Sequence, residues 1–250
     1  MISIISVVNK EEVLKRGLEK SLKEQSNSDY EFIKVNNTKG QYAKMKDALD
    51  YGISQARGEW IYIIHPDVYF LDKNELQRII HQIEEISLID PDIEIFGVAG
   101  AIPGEQRGIV STIVHGEEKT GGRKESFEGK RYQYVQTVDA CCFMIRKRTI
   151  EKYGFWDRLN GYHMYIEELC LRLRENGKRI AVIPANIWHF SAGASLDYTY
   201  YRETKKVVRR YSFLKYINTT SFQWKITKGL SIRLNYYMIR NYVHHKIVKR

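Results

Sequence analysis

The sequence predicts an α/β fold with a mostly parallel, doubly wound sheet. Short runs of β-branched and aromatic residues alternate with segments whose apolar residues recur at helical spacing. One such run, at residues 61–64, ends abruptly at His65-Pro66-Asp67. Because Pro66 has no N–H for a sheet ladder, we expect the strand to stop there. His65 and Asp67 then lie at the carboxyl end of a central strand, the edge where open α/β sheets bind ligands.

The first half of the chain predicts three strands joined by two helices. The strands are predicted at residues 2–8, 30–35 and 61–64, and the helices at residues 11–25 and 42–55. Residues 2–8 are apolar almost throughout, which is typical of a parallel strand buried on both faces. This β-α-β-α-β order with short connections predicts right-handed crossovers.

The second half is predicted to continue the same architecture. Helices are expected at residues 73–87, 147–153 and 165–176, and strands at residues 93–102, 135–145 and 179–183. Between two of these strands, residues 104–133 are polar, charged and rich in glycine. A loop of that length in a compact domain is usually functional or mobile, so we expect it to order when a substrate binds.

Length and composition indicate a folded protein with a substantial core. The chain has 250 residues, 43% of them hydrophobic, which suits one large domain or one domain with an appendage. Cys141, Cys142 and Cys170 have neither metal-ligand spacing nor a disulfide pattern, so we expect buried free thiols in a reducing compartment. We find neither a signal peptide nor an apolar run long enough to cross a membrane, and we therefore expect a cytoplasmic protein.

Positive charge is concentrated at the C-terminus. The formal net charge is +10, and residues 202–250 hold 13 of the 40 Lys and Arg residues but one of the 30 acids, Glu203. The sequence therefore predicts two parts, residues 1–200 and a basic, aromatic, helical C-terminal extension at residues 201–250. We expect an anionic membrane surface as the partner of the extension, which would place the protein on the inner face of the plasma membrane. Packing on the body or a homodimer explains the extension equally well, and nucleic acid is the least expected partner.

Six segments occur in an order that resembles one enzyme family. They are SIISVVN, EFIKVNN, ALDYGISQARGEWIYIIHPDV, VDACCFMIRKRTIEKYGFWD, EELCLRLRENGKRIAVIP and WHFSAGAS. Together they resemble the family 2 glycosyltransferases, which have the Rossmann-like GT-A fold, over residues 2–195. The HPDV turn combined with YHMYIEELCLRLRENG is most similar to the bacterial subgroup involved in surface polysaccharides. The resemblance implies inverting transfer from a nucleotide-diphospho-sugar, a UDP-sugar in the first instance, to a glycan or lipid-linked acceptor.

The resemblance also implies a divalent metal, Mn²⁺ or Mg²⁺, on the donor diphosphate. The family holds the metal on an Asp-x-Asp turn, which here reads His65-Pro66-Asp67. Asp67 is then the primary ligand, and His65 is either a ligand or a diphosphate contact. His189 matches a family histidine near the metal, although a core histidine between two aromatic residues is the alternative. A simple turn-capping role is the alternative for Asp67. Imidazole suits Mn²⁺ better than Mg²⁺.

The catalytic base is implied to lie at the start of a helix. An inverting transfer needs a carboxylate that takes the proton from the acceptor hydroxyl. At the usual acidic position of the family this chain has Ile166, so Glu168, which matches a common acid of the subgroup, and Glu167 are both candidates. Favourable charge at a helix N-terminus explains both glutamates without catalysis. Asp139 matches a residue that lines the donor-sugar and acceptor pocket, or it caps a strand end.

The resemblance places the nucleotide among six further residues, Val7, Asn9, Asn36, Asn37, Lys46 and Asp50. Asn36 and Asn37 stand where the family carries acids that contact the nucleobase. Their amides can pair with a base edge, and turn formation explains them nearly as well. Lys46 and Asp50 lie four residues apart on one helix face, which is also typical of a surface ion pair.

Two other functions stay open on the sequence. A nucleotidyltransferase has a related sheet and uses Asp with Mg²⁺, but residues 2–12 lack the glycine of its N-terminal loop. A non-catalytic protein that binds nucleotide-sugars or nucleic acid would suit the basic, tyrosine-rich extension. Slow, metal-dependent hydrolysis of a nucleotide-sugar distinguishes a transferase from either kind of binding protein.

Overall fold

The computed structural model describes residues 1–26, 29–116, 127, 130–190 and 196–248, with side chains as far as residue 243. The strands are β1 (Ile2–Val8), β2 (Tyr30–Asn36), β3 (Trp60–Ile64), β4 (Val68–Phe70), β5 (Ile93–Gly97), β6 (Ala99–Ala101), β7 (Ile109–Ser111), β8 (Val114–His115), β9 (Gln133–Tyr134), β10 (Thr137–Val138), β11 (Cys142–Arg146), β12 (Arg179–Val182), β13 (Ile187–His189), β14 (Tyr216–Asn218) and β15 (Gln223–Lys225). The helices are α1 (Glu11–Arg16), α2 (Leu18–Lys23), α3 (Met45–Gln55), α4 (Glu75–Ile89), α5 (Lys147–Tyr153), α6 (Tyr165–Glu175), α7 (Tyr198–Arg210) and α8 (Leu230–Val248).

The described residues form a central sheet of seven strands in the order β2-β1-β3-β11-β5-β12-β9. β1 pairs in parallel with β2 and β3, and β5 pairs in parallel with β12. β11 runs antiparallel between β3 and β5, and β9 runs antiparallel at the edge. The sheet is therefore mostly parallel, as predicted. β9 and β11 thus run opposite to the other five strands.

Helices cover both faces of the sheet. α1, α2 and α4 pack on one face, and α3, α6, α7 and the start of α8 pack on the other. All five residues of β3 are buried, which explains its continuous apolar sequence. Cys141, Cys142 and Cys170 are buried free thiols, as expected.

The first predicted helix, residues 11–25, is two helices that meet at Gly17. The backbone at Gly17 (φ −101°, ψ −106°) departs from helical geometry. Its neighbour Leu18 donates its N–H to the carbonyl oxygen of Pro66 at 3.2 Å. The periodicity of apolar residues predicted helical structure correctly but not this break, because a contact from a distant turn causes it.

Two predicted strands are also divided. Residues 93–102 form β5 in the central sheet and β6 in a small sheet with β7 and β10. Residues 135–145 form β10 and β11, and the chain turns between them at Asp139. The predicted loop at residues 104–133 contains β7 and β8 and ends in β9; residues 117–126 and 128–129 lie outside the described residues.

The C-terminal extension was predicted to be helical, and this prediction is wrong at residues 216–225, where β14 and β15 form a hairpin. Ile217 pairs with Trp224, and the Thr219 hydroxyl accepts the N–H of Phe222 at 2.9 Å to close the turn. β-branched and aromatic residues favour this strand pairing. The division at residue 200 stays a prediction, and α7 crosses it. Among the described residues, no helix combines the length and hydrophobicity needed to cross a membrane.

Candidate active site

The carboxyl ends of three parallel strands meet at one edge of the sheet. β1, β2 and β3 run in parallel register, so the residues that follow Val8, Asn36 and Ile64 lie along that edge. β11 is antiparallel and begins there, with Cys142 opposite Ile64. The N–H of His65 donates to the carbonyl oxygen of Cys141 at 2.8 Å. The turn after β3 and the turn before β11 are thereby held side by side.

His65, Asp67 and His189 converge at this edge. β13 pairs with β4 in antiparallel register, which places His189 opposite Val68, the residue after Asp67. His189 Nε2 lies 3.2 Å from Asp67 Oδ2, and His65 Nδ1 lies 4.0 Å from Asp67 Oδ1. One ligand atom from each side chain lies within 4.8 Å of the other two. The three residues can therefore hold one cation.

Burial and charge act differently on the two histidines. Burial lowers the pKa of His65. Burial is the largest single effect on His189 and opposes its protonation as well, but the hydrogen bond to Asp67 together with the charges of Asp67 and Asp139 outweighs it and raises the pKa of His189. A metal ion would replace the proton on His189 and use the same Asp67 charge.

His115 is a fourth residue of this cluster that the sequence analysis did not identify. β8 pairs in parallel with β13, and His115 lies directly beside His189 in the register. Their ring centroids are 5.6 Å apart. Neighbouring residues in a parallel pair project to the same side, so His115 adds a third imidazole on that side. Its sequence context, a histidine in a short apolar run, carries no distinctive signal.

Gly17 supports the turn that carries Asp67. A Cβ at Gly17 would lie 2.5 Å from the carbonyl oxygen of Pro66 and 2.8 Å from the ring of Phe190, which follows His189. The N–H of Phe190 donates in turn to the carbonyl oxygen of Asp67 at 3.2 Å. The absence of a side chain at Gly17 thus lets the α1–α2 junction pack closely on the backbone of the site.

Asp139 lies between the histidine cluster and α6. Cys141 donates its N–H to Asp139 Oδ1 at 2.9 Å, and the Thr220 hydroxyl donates to Oδ2 at 2.6 Å. Burial raises the pKa of Asp139, but these hydrogen bonds overcome that effect and hold its pKa below the ordinary value. His65 contributes in the same direction. Asp139 is therefore a fixed, ionised carboxylate.

Thr220 is a second residue that the sequence analysis missed. It lies in the turn of the β14–β15 hairpin, 81 residues from Asp139 in the chain. Arg107 holds the same turn, donating to the carbonyl oxygens of Thr220 and Ser221 at 2.9 Å each. No local pattern connects such distant positions, and the hairpin itself was not predicted. Part of the C-terminal extension therefore belongs to the site.

Glu167 and Glu168 have contrasting surroundings in the first turn of α6. Glu168 is fully buried and its carboxylate pairs with Arg172 at 3.0 Å, with Arg210 at 3.4 Å and with the Tyr211 hydroxyl at 3.0 Å. Among the described residues, Glu167 Oε2 is buried without a hydrogen-bond partner. Burial, with a further contribution from the charge of Asp139, raises the pKa of Glu167 to about 8. Glu168 is thus bound in a structural network, and Glu167 has acceptor capacity to spare.

The predicted nucleotide contacts lie along the carboxyl ends of β1 and β2. Val7 is half-buried and Asn9 is exposed after β1. Asn36 is exposed and its side chain accepts the N–H and hydroxyl of Thr38, which is a turn-forming arrangement. Asn37 is buried, and its amide bonds the backbone of Tyr42 and the hydroxyl of Tyr162.

Lys46 and Asp50 pair on the surface of α3, as their spacing predicts. Lys46 also lies 3.2 Å from Asp157. The pair lies on α3, the helix that follows β2, and neither residue belongs to the histidine cluster.

Comparison with known proteins identifies the family to which this fold belongs. The family model of the glycosyltransferase-like family matches residues 3–211, and this chain belongs to that family. No curated protein matches the chain.

Several solved glycosyltransferase structures share the fold. TarS of S. aureus aligns with a TM-score of 0.53 at 13% identity, and the alignment covers 98% of this chain and 44% of that TarS chain. S. aureus TarS 1–349 in complex with UDP-GlcNAc aligns with a TM-score of 0.56 at 13% identity, and the alignment covers 98% of this chain and 73% of the TarS chain. The mannosyltransferase PcManGT of Pyrobaculum calidifontis, in complex with GDP-Man and Mn²⁺, aligns with a TM-score of 0.57 at 12% identity. This alignment covers 97% of this chain and 69% of the PcManGT chain. The predicted GT-A fold is confirmed, and this chain spans under half the length of the first of these TarS chains.

Proposed function

We propose that this protein transfers a sugar, with inversion, from a nucleotide-diphospho-sugar to a hydroxyl of a glycan or lipid-linked acceptor. One observation carries the proposal. In a chain of the glycosyltransferase-like family, His65, Asp67 and His189 converge at the ligand edge of the sheet, next to the carboxylates of Asp139 and Glu167. A cation site beside a carboxylate with a raised pKa is the arrangement that this reaction requires.

A divalent metal fits the residues present. Asp67 supplies a carboxylate oxygen, and His65 and His189 supply imidazole nitrogens within 4.8 Å. When bound, the metal would neutralise the negative charge that gathers on the departing diphosphate. Two imidazoles in the donor set favour Mn²⁺ over Mg²⁺, since Mg²⁺ prefers a shell of oxygen ligands. The complex of PcManGT with Mn²⁺ supports the same choice.

Glu167 is the proposed catalytic base. Its buried Oε2 has no other partner in the described part of the chain, and its pKa of about 8 makes it a strong proton acceptor for a carboxylate. It would take the proton from the acceptor hydroxyl as the oxygen attacks the anomeric carbon on the face opposite the leaving diphosphate. Glu168 would instead fix the first turns of α6 through Arg172 and Tyr211.

Asp139 is proposed to orient sugar hydroxyls rather than to move a proton. Its pKa below the ordinary value leaves it ionised, so it can accept hydrogen bonds but is a weak base at neutral pH. Its place between the metal ligands and Glu167 suits contact with the donor sugar or the acceptor.

The proposed donor is a UDP-sugar. TarS binds UDP and UDP-GlcNAc, whereas PcManGT binds GDP-Man, so the shared fold accommodates both bases. Val7, Asn9, Asn36, Lys46 and Asp50 are proposed to surround the nucleotide. Asn37 would act indirectly, by holding the loop after β2 to Tyr42.

A lipid-linked acceptor would bring the enzyme to a membrane surface. The basic extension suits peripheral attachment to the inner face of an anionic membrane, in keeping with an enzyme of surface-polysaccharide synthesis. A homodimer through the extension is the competing proposal.

Donor hydrolysis tests the proposed function. We expect slow release of nucleoside diphosphate from one member of a panel containing UDP-GlcNAc, other UDP-sugars and GDP-mannose, and we expect it to require Mn²⁺. The same sugar-nucleotide should raise the melting temperature in the presence of Mn²⁺. Stabilisation by a donor without any hydrolysis would indicate a binding protein, and hydrolysis that persists in excess chelator would contradict the metal.

A further inference from the structure

α8 has apolar residues on two opposite faces. Leu230, Leu234 and Tyr237 form one face; the two leucines are buried and the Tyr237 ring stacks on Tyr201 of α7 with centroids 5.5 Å apart. This face accounts for the packing of α8 on the body.

The opposite face is an apolar stripe that is open to solvent. Ile232, Tyr236, Ile239 and Val243 follow one another at spacings of four, three and four residues, so they share one side of the helix. Their exposed fractions are 72%, 61%, 64% and 44%. Each of the four lies two residues after a position on the packed face, such as Leu230 or Leu234. Two residues correspond to a rotation of about 200° around the helix axis, so the four residues point away from the body. We name these four residues the outer stripe of α8.

Positive charge borders the outer stripe. Arg233 and Arg240 are exposed along one side of it. The one acid of residues 202–250 is Glu203, which is fully buried and pairs with Arg202 at 2.7 Å and Lys206 at 2.8 Å. The surface of the extension therefore presents basic and apolar side chains with no exposed acid to balance them.

We infer that the outer stripe of α8 docks on an anionic lipid surface. The helix would lie in the membrane interface, with Ile232, Tyr236 and Ile239 among the acyl chains and the two arginines at the level of the headgroups. The chemistry selects this partner over a second copy of the chain. A symmetric α8–α8 contact would bring the arginines of both copies together without any acid between them.

This inference extends the proposed acceptor side of the reaction but does not depend on catalysis, because vesicle binding requires neither donor nor metal. Failure of the proposed transferase activity would leave it untouched, and the reverse also holds.

Vesicle co-sedimentation of the full chain tests the inference. We expect binding to phosphatidylcholine vesicles that contain phosphatidylglycerol, and little binding to phosphatidylcholine alone. The double variant Ile232→Ser/Ile239→Ser should weaken binding about tenfold or more, because the apolar contact with the acyl chains is lost. Arg233→Gln and Arg240→Gln should each weaken binding about fivefold. At high salt the effect of each substitution should be smaller, because salt screens the attraction to the anionic headgroups. The four substituted residues are all exposed, so the melting temperature should not change in any of the three variants.

Leu88→Ser is the matched control, since Leu88 is 87% exposed on α4, far along the chain from α8. Its affinity for the vesicles should equal that of the wild type. Equal binding to both vesicle types, no binding to either, or unchanged binding of the double isoleucine variant would overturn the inference. A wild-type dimer that becomes monomeric in that variant would assign the outer stripe to a second copy instead.

Discussion

Adjacent glutamates in α6 have carboxylates in different surroundings, one paired with cations and one without a hydrogen-bond partner for Oε2 among the described residues. The carboxylate of Glu168 contacts Arg172, Arg210 and the hydroxyl of Tyr211, so its negative charge is compensated. The Oε2 atom of Glu167, one residue earlier, is buried, and the negative charge of Asp139 acts on this carboxylate. The sequence could name both residues but could not distinguish them, because both lie in the first turn of the same helix.

Substitution of each glutamate by glutamine should have opposite consequences. Glu167→Gln should lower kcat about 100-fold or more with donor affinity nearly unchanged, since it removes the proposed base. It should also raise the melting temperature at neutral pH, because a neutral amide carries no cost of ionisation in the folded state. Glu168→Gln should lower the free energy of unfolding by about 3 kcal/mol, because it removes one partner of a buried ion pair. Kinetics and thermal unfolding of the two variants, side by side, measure this. Normal turnover in Glu167→Gln would assign the base elsewhere.

The pH dependence should report Glu167. Its raised pKa means that the basic form becomes abundant only as the pH rises through about 8, so kcat/KM should increase across that range. In the Glu167→Gln variant this limb should disappear. Because the folded state favours the protonated form, ionisation of Glu167 costs stability as the pH rises from its ordinary value of 4.5 towards 8. An unchanged pH profile in the variant would rule out Glu167.

Thr220 should act as a positioning residue for Asp139. Thr220→Val removes the hydroxyl donor to Asp139 Oδ2, and we expect kcat to fall about tenfold, as for loss of a hydrogen bond to a charged group. Thr220→Ser keeps the hydroxyl and should restore activity. Ser221→Ala, in the same turn, is the control for a general effect on the hairpin. If the serine variant were as impaired as the valine variant, the hydroxyl would not be the cause.

At the scale of elements, the junction of α1 and α2 links the fold to the site. The backbone of Gly17 packs against the carbonyl of Pro66 and the ring of Phe190, between the two segments that carry the cation ligands. A side chain at this position would displace one of them.

Gly17→Ala should therefore weaken Mn²⁺ binding about tenfold and lower the free energy of unfolding by about 1–3 kcal/mol, as expected for overpacking. Gly229→Ala is a suitable control, because a Cβ there would meet no atom within 4 Å. Calorimetric titration of Mn²⁺ and thermal unfolding measure the two effects. Wild-type Mn²⁺ affinity in Gly17→Ala would show that the junction does not support the site.

Local patterns predicted most elements, and the differences arise from contacts between distant residues. Continuous apolar runs predicted β1 and β3, which are buried on both faces, and apolar periodicity predicted α3 and α6, which each bury one face. The break at Gly17 depends on a contact with Pro66. The helix prediction failed at the β14–β15 hairpin because it rested on the Tyr, Arg and Lys content of the whole extension, whereas residues 216–225 hold one basic residue, Lys225.

For the whole molecule, the sheet edge collects residues that are far apart in sequence. The resemblance named Asp67, His65, His189, Asp139 and both glutamates, and the structure brings the first three into one cluster with Asp139 and Glu167 near it. It could not name His115 or Thr220, because β8 and the hairpin reach the edge only through pairing with other strands. The extension contributes to the site at one end and exposes the outer stripe of α8 at the other.

Metal binding by the His65–Asp67–His189 cluster is the central claim, and titration of Mn²⁺ followed by its electron paramagnetic resonance signal tests it most directly. In the presence of UDP, we expect the wild type to bind Mn²⁺. The variants Asp67→Ala and His189→Ala should each bind it about 100-fold more weakly, because loss of even a residue that only supports a metal ligand lowers affinity by about 10- to 100-fold. Asp29→Ala, an exposed carboxylate before β2, should bind as the wild type does. Wild-type Mn²⁺ affinity in Asp67→Ala would contradict the account.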